Sequence, residues 1–516
     1  MNTRTNNPIW AAALLPVMLV ACSDSNNNGG SSPDPEPSIS IVQRDSADAN
    51  GINGIVHASS GIYAIGYSDQ EDDRTVILGY NDDGSVNTDF GTDGVLSLNI
   101  KDGGDEVPYG IVELADGDLL FVVNAADGES GQSVYLVRLD ADSDFAIDAG
   151  YGDDGGAGSG LAAGVQEVVF GWANADNGAF PDGAPSDTAY DLLLDTTGDE
   201  ERVVVNGYGP AANGETFGGA QATDRDRYVT RLMADDGTVD AGFSGGAAFA
   251  YSTPRGENST DNARRASLEA DGSILSVGYT NFGDGQSNHV VLIKLSPDGS
   301  LDTDFGGFVV PAPPAIPAQD GVAIFNPFRA AGGFAEAYAA VAQSDGDYVT
   351  TGYGRANAGT APDTGPLSVY DDTDENDLVA FRVLDGTGID PDYGNPDAPG
   401  TQAIQSEGTD PADAEEISTE ERGRDMVMLP DDRSVHVGYY GGVPAIYVLT
   451  ADGELDTSVD DDGLILLPHD EVTNTGTAVE QQFFTAELSA DGKLAIGTRA
   501  NDPAGVRFVL IDGLSD

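Results

Sequence analysis

The sequence predicts an all-β protein, a seven-bladed β-propeller of four-stranded blades in which the N-terminal strand supplies the outer strand of the last blade. Two observations lead to this fold class. A strand that ends in Gly-Tyr and a later Asp-Gly turn motif recur along most of the chain. The last copy of this unit stops one strand short, while one extra strand precedes the first copy. Four strands in each of seven units match the blade count of known propellers.

One unit shows the pattern most clearly. Residues 271–279 (DGSILSVGY) form a turn followed by an alternating strand that ends in Gly-Tyr. A second strand follows at 289–295, and residues 297–306 then read PDGSLDTDFG. Alternation with period two indicates strands, and Asp-Gly supplies the positive φ that a tight hairpin requires.

The same order of motifs recurs at uneven spacing along the chain. The strand that ends in Gly-Tyr, or in a weaker equivalent of it, is found at residues 63–67, 119–124, 203–208, 274–279, 348–353, 435–439 and 494–498. The later motif is found at residues 83–91, 144–152, 236–243, 297–306, 385–394 and 452–459. Self-similarity of this kind is typical of propellers and solenoids.

These motifs resemble the delta-sixty repeat, a tandem motif of bacterial surface and secreted proteins. Residues 76–97 and 283–310 match it closely, and the resemblance covers nearly all of residues 47–513. Members of that family are mostly uncharacterised, so the resemblance implies a repeat architecture and little chemistry. Units two, five and six lose glycines or the Phe-Gly pair of the motif, and we expect different turns there.

Each unit contains four candidate strands, A to D. In the first unit we expect them at residues 51–58, 62–67, 75–80 and 94–98, each bounded by turn residues. An open β-solenoid is the alternative architecture, but it would leave terminal edges that need caps.

The two ends of the repeat region favour a closed ring. The seventh unit ends with the strand at 506–511 and lacks a fourth strand. Residues 39–42 alternate like a strand and belong to no unit. We therefore expect residues 39–42 to pair with 506–511 and to fasten the ring, so that residues 39–516 form one domain.

The N-terminal 21 residues have the features of a signal peptide. Residues 9–21 carry no charge and are too few to span a bilayer. They end in Leu-Val-Ala before Cys22, the single cysteine of the chain, and this resembles the bacterial lipobox. The resemblance implies lipid attachment at Cys22 and, since Ser23 follows, an outer-membrane lipoprotein that faces the periplasm or the exterior. The alternative is an ordinary secretory peptide with a chance cysteine.

Residues 22–38 follow the anchor as a flexible tether, because SDSNNNGGSSPDPEPS offers nothing apolar to pack. The whole chain has 88 acidic and 22 basic residues and a formal charge of −66. Such a surface repels nucleic acid and anionic lipid headgroups, which excludes nucleic-acid binding as a function. We expect a monomer held at the membrane by its lipid.

The long connections indicate where a partner would bind. In a propeller, the B–C and D–A connections emerge on one face, and the extra length of this chain lies in them. Loops on a rigid scaffold commonly carry binding sites. Phe325, Phe328 and Phe334 follow a proline-rich stretch, and we assign them to a partner-binding aromatic patch. The alternative is that these rings fold back onto the blade.

A second candidate site is acidic. Asp371, Asp372, Asp374 and Asp377 lie in a run of carboxylates, and calcium prefers several oxygen ligands from a short loop. The strict calcium-loop spacing is absent, so a solvated acidic loop is the alternative. For the aspartates of the turn motif we expect turn capping instead.

No catalytic motif of the common hydrolase, zinc-protease or nucleotide-binding kinds is present. Three function classes therefore stay open. The first is a non-enzymatic cell-envelope module that binds a protein or glycan partner through the long-loop face. The second is a calcium-dependent hydrolase of the lactonase or phytase kind, and the third is an envelope assembly scaffold.

Overall fold

A computed structural model shows an all-β protein whose described part contains one short 3-10 helix, Ala141–Ser143. The structure describes residues 37–44, 48–68, 74–126, 131–152, 162–170, 187–210, 225–254, 259–281, 288–310, 317–328, 333–355, 376–385, 388–394, 421–440, 443–466, 481–500 and 505–514, with the short strands Val17–Met18, Thr216–Phe217, Ala220–Gln221 and Gln402–Ile404. In this part of the chain, no helix has the length and apolar character needed to cross a membrane.

The strands pair antiparallel with their neighbours along the chain, in groups that follow the sequence repeat. Strands A, which begin the groups, are Gly51–Ala58, Glu106–Glu113, Thr188–Asp195, Thr260–Leu268, Phe334–Ala342, Arg422–Met428 and Gln481–Leu488. Strands B are Gly61–Ser68, Leu119–Ala126, Arg202–Pro210, Ile274–Asn281, Tyr348–Arg355, Ser434–Tyr440 and Leu494–Ala500. We number the groups 1 to 7 in this order.

The outer strands complete the groups. Strands C are Arg74–Tyr80, Gln132–Asp140, Arg225–Met233, His289–Leu295, the pair Asp377–Ala380 and Arg382–Leu384, Val443–Leu449 and Arg507–Asp512. Strands D are Val95–Leu98, Val165–Val168, Phe249–Tyr251, Val322–Phe325, Gln402–Ile404, Leu464–Leu466 and, for group 7, Ser38–Gln43. Short extra strands are Ala146–Ile147, Phe308–Val310 and Gly388–Ile389. The four strands predicted for the first unit are confirmed to within one residue.

The N-terminal strand pairs where the sequence predicts. Ser38–Gln43 runs antiparallel to Arg507–Asp512, with Ile39 opposite Ile511 and Val42 opposite Phe508. Groups 7 and 1 also share a hydrophobic core, in which the rings of Tyr80 and Phe508 stack with centroids 3.9 Å apart. The two ends of the chain are thus packed together.

The first strands of the groups are in contact with one another. Each strand A contacts the strand A of the next group, and that of group 7 contacts that of group 1. Hydrophobic cores lie between consecutive groups, as between groups 4 and 5 and between groups 6 and 7. Both faces of a group carry apolar side chains, and each face is covered by a neighbouring group.

The aspartates of the turn motif act as the sequence predicts. Asp83 accepts hydrogen bonds from the backbone and the hydroxyl of Ser85, at 2.9 and 2.5 Å. Asp298 accepts the same pair from Ser300, at 3.0 and 2.6 Å. The glycines after these aspartates have φ of +79°, which an L side chain rarely adopts. The prediction of turn capping is confirmed.

Candidate ligand-binding site

Most of the acidic candidate site lies outside the described residues, as does the lipid-attachment residue. Cys22, Asp371, Asp372 and Asp374 belong to the part of the chain that the structure leaves undescribed. Asp377 is described, is buried, and begins strand C of group 5. Among the described residues, no group of three or more His, Cys, Asp or Glu side chains is placed to hold a metal ion. The calcium site stays a prediction.

The predicted aromatic patch is wrong for two of its three members. Phe325 and Phe328 are 0% and 1% exposed and lie in the core between groups 4 and 5, where Phe325 meets Phe381 edge-on. Burial of a phenylalanine ring is favourable by ~2 kcal/mol, which holds these rings away from any partner. These two rings fold back onto the sheet, which is the alternative that the sequence leaves open. Phe334 is half-buried and packs edge-on against Tyr353.

Tyr353 belongs to a larger set of aromatic and cationic side chains at one end of the ring of strands A. Members of this set come from all groups and lie at the start of a strand A or the end of a strand B. We call it the arginine–tyrosine cluster, and its residues are Tyr67, Tyr109, Tyr190, Tyr208, Arg264, Tyr279, Tyr338, Tyr353, Arg422, Arg424, Tyr439, Phe484 and Arg499.

β-Bulges direct part of the cluster inward. Every strand A shifts register against its strand B near its start, and the shifts leave Tyr190, Tyr338, Arg424 and Phe484 without a paired residue. In group 4 the shift spans Ala263 to Ala266 and so includes Arg264. A bulge re-aims side chains that a regular strand would bury between sheets. The bulged residues therefore face the axis of the ring.

The Gly-Tyr repeat explains the other part of the cluster. A Cβ atom on Gly438 would lie 1.7 Å from the carbonyl oxygen of Arg422, and one on Gly352 would lie 1.9 Å from that of Glu336. Only glycine permits this close approach of strand A to strand B. The tyrosine that follows ends strand B beside the axis, immediately before the B–C connection. The cluster therefore lies on the face from which the long connections emerge.

Arg264 is at the centre of the stacking. Its guanidinium carbon lies 4.6 Å from the ring centroid of Tyr190 and 4.8 Å from those of Tyr279 and Tyr338. Arg424 lies 4.8 Å from the centroid of the same Tyr338. Each such contact is worth ~0.5–2 kcal/mol, more where water is excluded. Tyr338 is thus stacked against two guanidiniums from neighbouring groups.

The stacking continues on both sides of this centre. Arg422 lies 4.7 Å from the centroid of Tyr353 and 5.9 Å from that of Tyr439. Arg499 lies 5.4 Å from Tyr67 and 5.2 Å from Phe484. The rings of Tyr109 and Tyr190 join the two halves at 5.0 Å. The cluster is one continuous surface around the ring.

Three arginines of the cluster form no ion pair with a described carboxylate, although the protein is rich in acids. In the described part of the chain, no carboxylate oxygen lies within 4.0 Å of a nitrogen of Arg264, Arg424 or Arg499. The buried Nε of Arg264 has no hydrogen-bond partner. A buried donor without a partner costs ~1–3 kcal/mol, so this contact lowers the stability of the fold.

The guanidiniums change the acidity of the phenol between them. Desolvation by the surrounding protein opposes ionisation of Tyr338, but the charges of Arg264 and Arg424 outweigh it and lower the pKa of Tyr338. The charge of buried Glu336 opposes this lowering, so one acid of the fold also lies in the field of both arginines.

A different arginine crosses the axis below the cluster. The guanidinium of Arg265 lies 3.5 Å from a carboxylate oxygen of Asp191 and 3.3 Å from one of Asp425. It also donates to the backbone oxygens of Asn53, at 3.0 Å, and Phe484, at 3.4 Å. Arg265 thus links its own group 4 to groups 1, 3, 6 and 7.

Burial raises the pKa of Asp191 to about 6, against the opposing charge of Arg265. Glu487 lies beside this network with much of its side chain open to solvent. Desolvation by the surrounding protein, followed by the charges of Asp425 and Asp191, raises the pKa of Glu487 to about 8. The centre of the ring is therefore a coupled group of acids around one arginine.

The sequence did not reveal this site. The Gly-Tyr motif predicts only the end of a strand, and nothing in that pattern marks a site. The informative signal was the position of arginine. Basic residues are scarce in this chain, yet Arg422 and Arg424 fall in the first half of a strand A and Arg264 in the middle of one.

Comparison with known proteins gives a local match and distant likenesses. Residues 269–305 match the family described as a domain of unknown function (DUF5122) beta-propeller. These residues cover strands B and C of group 4 and the turn motif after them, so the match is confined to one group. The search of curated proteins found no match.

Several solved structures are similar at low identity. A protein of unknown function from Dyadobacter fermentans shares 15% identity, with 78% of this chain and 93% of that chain covered and a TM-score of 0.37. The periplasmic gluconolactonase of Pseudomonas aeruginosa shares 13%, with 81% and 88% covered and a TM-score of 0.37. A PQQ-bound aldose sugar dehydrogenase from Streptomyces coelicolor shares 12%, with 78% and 93% covered and a TM-score of 0.35. Similarity at this level carries no argument about activity.

Proposed function

We propose that this protein is a lipid-anchored binding module of the cell envelope, and that it binds an anionic partner at the arginine–tyrosine cluster without catalysing a reaction. The observation that carries the proposal is the set of three arginines that stack on aromatic rings and pair with no described carboxylate. In a chain with four times as many acids as bases, cations that form no ion pair with a described carboxylate favour an external anion.

The proposal includes a closed seven-bladed propeller as the scaffold. Three observations support it: each strand A contacts the next around to the first, groups 7 and 1 share a core, and Ser38–Gln43 pairs with Arg507–Asp512. A closed ring has no free sheet edge and holds the bulged side chains in fixed positions. The N-terminal strand then closes the ring by pairing with strand C of group 7.

The proposed location rests on the N-terminal sequence. Cleavage after residue 21 and acylation of Cys22 would leave residues 22–38 as a tether between the membrane and the propeller. Metabolic labelling of cells with a clickable fatty acid tests this step. We expect label on the wild-type protein and none on Cys22→Ser. Equal labelling of the two proteins would contradict the anchor.

Binding is tested with two polymers that share a backbone and differ in charge. Full-length protein in neutral detergent is titrated with fluorescent dextran sulfate and with neutral dextran of the same length, at about 0.15 M salt, where surface charges act over roughly 8 Å. We expect dextran sulfate to bind and neutral dextran not to bind.

Arg424→Gln tests whether the cluster is responsible. The variant removes one charge from the cluster and should weaken dextran sulfate binding about tenfold or more, since a charged hydrogen bond is worth ~1.5–3 kcal/mol. Lys493→Gln is the matched control, because it removes the same charge from an A–B turn at the other end of the strands, where Lys493 pairs with the exposed Asp491. Equal losses in the two variants, or equal binding of both polymers, would contradict the proposal.

A further inference from the structure

The cluster combines guanidinium groups with an unusual number of phenol hydroxyls. Tyr190, Tyr208, Tyr279 and Tyr353 are half-exposed and lie at the same end of the ring as the unpaired arginines. A tyrosine hydroxyl both donates and accepts hydrogen bonds, whereas a guanidinium only donates. The site therefore offers acceptors as well as positive charge.

The arginines fix the charge and geometry of one part of the ligand. The planar guanidinium presents two parallel donors and matches the two oxygens of a carboxylate or a sulfate. Arg264 already uses one terminal nitrogen for the hydroxyl of Tyr279 and the other for the backbone of Ala263. Its Nε edge is still without a hydrogen-bond partner. That Nε is buried, so a ligand meets the half-buried Arg424 and Arg499 first. To pair with their guanidiniums, the ligand must carry an anionic group with oxygen acceptors.

The tyrosines fix the chemistry of the rest of the ligand. Hydroxyl groups of a ligand pair well with phenol hydroxyls, since each partner can donate to the other. Aromatic faces also pack against flat or ring-shaped ligands whose surface is partly apolar. A molecule with rings, many hydroxyls and a few negative charges fits both requirements.

We propose that the ligand of the arginine–tyrosine cluster is an acidic saccharide, a short sugar chain or chain end with carboxylate or sulfate groups. This inference rests on the proposed function and names its ligand class. Arg264, Arg424 and Arg499 bind the anionic groups, and the tyrosines bind the hydroxyls and ring faces.

The axis of the ring limits the length of chain that enters. Arg265 and the acids around it lie directly below the cluster and contact the strands A of groups 1, 3, 6 and 7. A sugar chain cannot pass through this centre while those contacts are in place. The ligand therefore approaches from the long-connection face and is bound at its end or along that face.

An acidic peptide fits the site less well. Its carboxylates satisfy the arginines, but it offers few hydroxyls to the tyrosines, and extended peptides are generally bound by pairing with a free sheet edge. In this site the strands that lie nearest, strands A, are already paired to strands B along their length. A peptide would thus use only part of the cluster.

The test compares three short probes on the full-length protein by calorimetry at constant ionic strength. Trigalacturonate is the acidic saccharide, cellotriose is a neutral one of equal length, and tri-glutamate carries similar charge without sugar. We expect trigalacturonate to bind about tenfold or more tightly than either of the others. If tri-glutamate binds as tightly as trigalacturonate, or cellotriose does, the inference is overturned while the dextran sulfate result decides the proposed function separately.

Tyr190→Phe provides the second measurement. This variant keeps the ring and removes one hydroxyl that has no hydrogen bond to another described residue. We expect it to weaken trigalacturonate binding about three- to tenfold and to leave tri-glutamate unchanged, since a lost neutral hydrogen bond is worth ~0.5–1.5 kcal/mol. Thermal unfolding checks that the variant is folded. No change in trigalacturonate affinity would overturn the role of the hydroxyls.

Discussion

Two sets of arginines in this protein occupy opposite environments. On the C–D turn side, Arg382 lies beside its partner Asp390, and Arg231 pairs with both Asp195 and Asp240, at 3.1 and 2.8 Å. In the cluster, Arg264 and Arg424 stack on tyrosines and have no carboxylate within 4.0 Å among the described residues. Arginine thus fixes a turn through an ion pair in one region, whereas in the cluster it forms no ion pair with a described carboxylate.

The difference follows from what each position requires. Arg231 bridges strand C to the aspartate of the following turn, so its charge is used within the repeat. Each cluster arginine instead meets tyrosines from neighbouring repeats, and a stack on aromatic rings leaves edge nitrogens free to donate. Ion pairing stabilises the fold, whereas in the proposed site stacking would hold the charge in place for a ligand.

The largest effect is expected where an arginine connects several groups. Arg265→Met removes the partner of Asp191 and Asp425 and leaves two buried carboxylates facing each other. Removal of one partner from a buried ion pair typically costs ~3–5 kcal/mol. Urea unfolding of the full-length protein measures this loss. A change below ~1 kcal/mol would contradict the assignment of Arg265 as the link at the axis.

The comparison itself is tested by the pair Arg231→Met and Arg424→Met. We expect Arg231→Met to lower the free energy of unfolding by ~2–3 kcal/mol, because fully buried Asp195 loses one of its two cationic partners and keeps Arg202 and the hydrogen bonds from Thr197. Arg424→Met should cost less than Arg231→Met, because it loses stacking on Tyr338 and a hydrogen bond to Gln482 but breaks no ion pair with a described carboxylate. Equal costs in urea unfolding would break the distinction between the two sets.

The pH dependence of stability gives a smaller effect. The pKa of Asp191 is raised to about 6 in the folded protein, above the ~3.9 of an unfolded chain. Between these values the folded state binds more protons, so this group makes the protein less stable as pH rises from 4 to 6. Asp191→Asn removes the group. We expect wild type to lose on the order of 2 kcal/mol relative to the variant over this range, and equal slopes would contradict the raised pKa.

Salt should act on ligand binding in two opposite ways. The overall charge of −66 repels an anion over long distances, whereas the arginines attract it at contact. From about 0.01 to 0.1 M salt the screening length falls from roughly 30 to 10 Å, which weakens the long-range repulsion first. The affinity for trigalacturonate should therefore rise severalfold and then fall at higher salt. A monotonic fall would indicate that the acidic surface does not affect this site.

Much of the fold was readable from the sequence. Alternation and Asp-Gly turns are local patterns, so the strands of the first unit and the capping by Asp83 and Asp298 were predicted correctly. The pairing of residues 39–42 with 506–511 was also predicted, because an unpaired strand and a missing strand complement each other. Phe325 and Phe328 could not be placed, since nothing local distinguishes a loop ring that is exposed from one that folds into a core.

The sequence by itself determined the repeat, its strands and its turns, because hydrogen bonding between near neighbours and the period of apolar residues act over short stretches of chain. Only the tertiary structure decided the site. Arg264, Arg424 and Arg499 are separated by 160 and 75 residues in the chain, and β-bulges, which no local pattern announces, turn the first two toward the same axis. Packing of the strands A around a common centre brings these charges together, although they are far apart in the sequence.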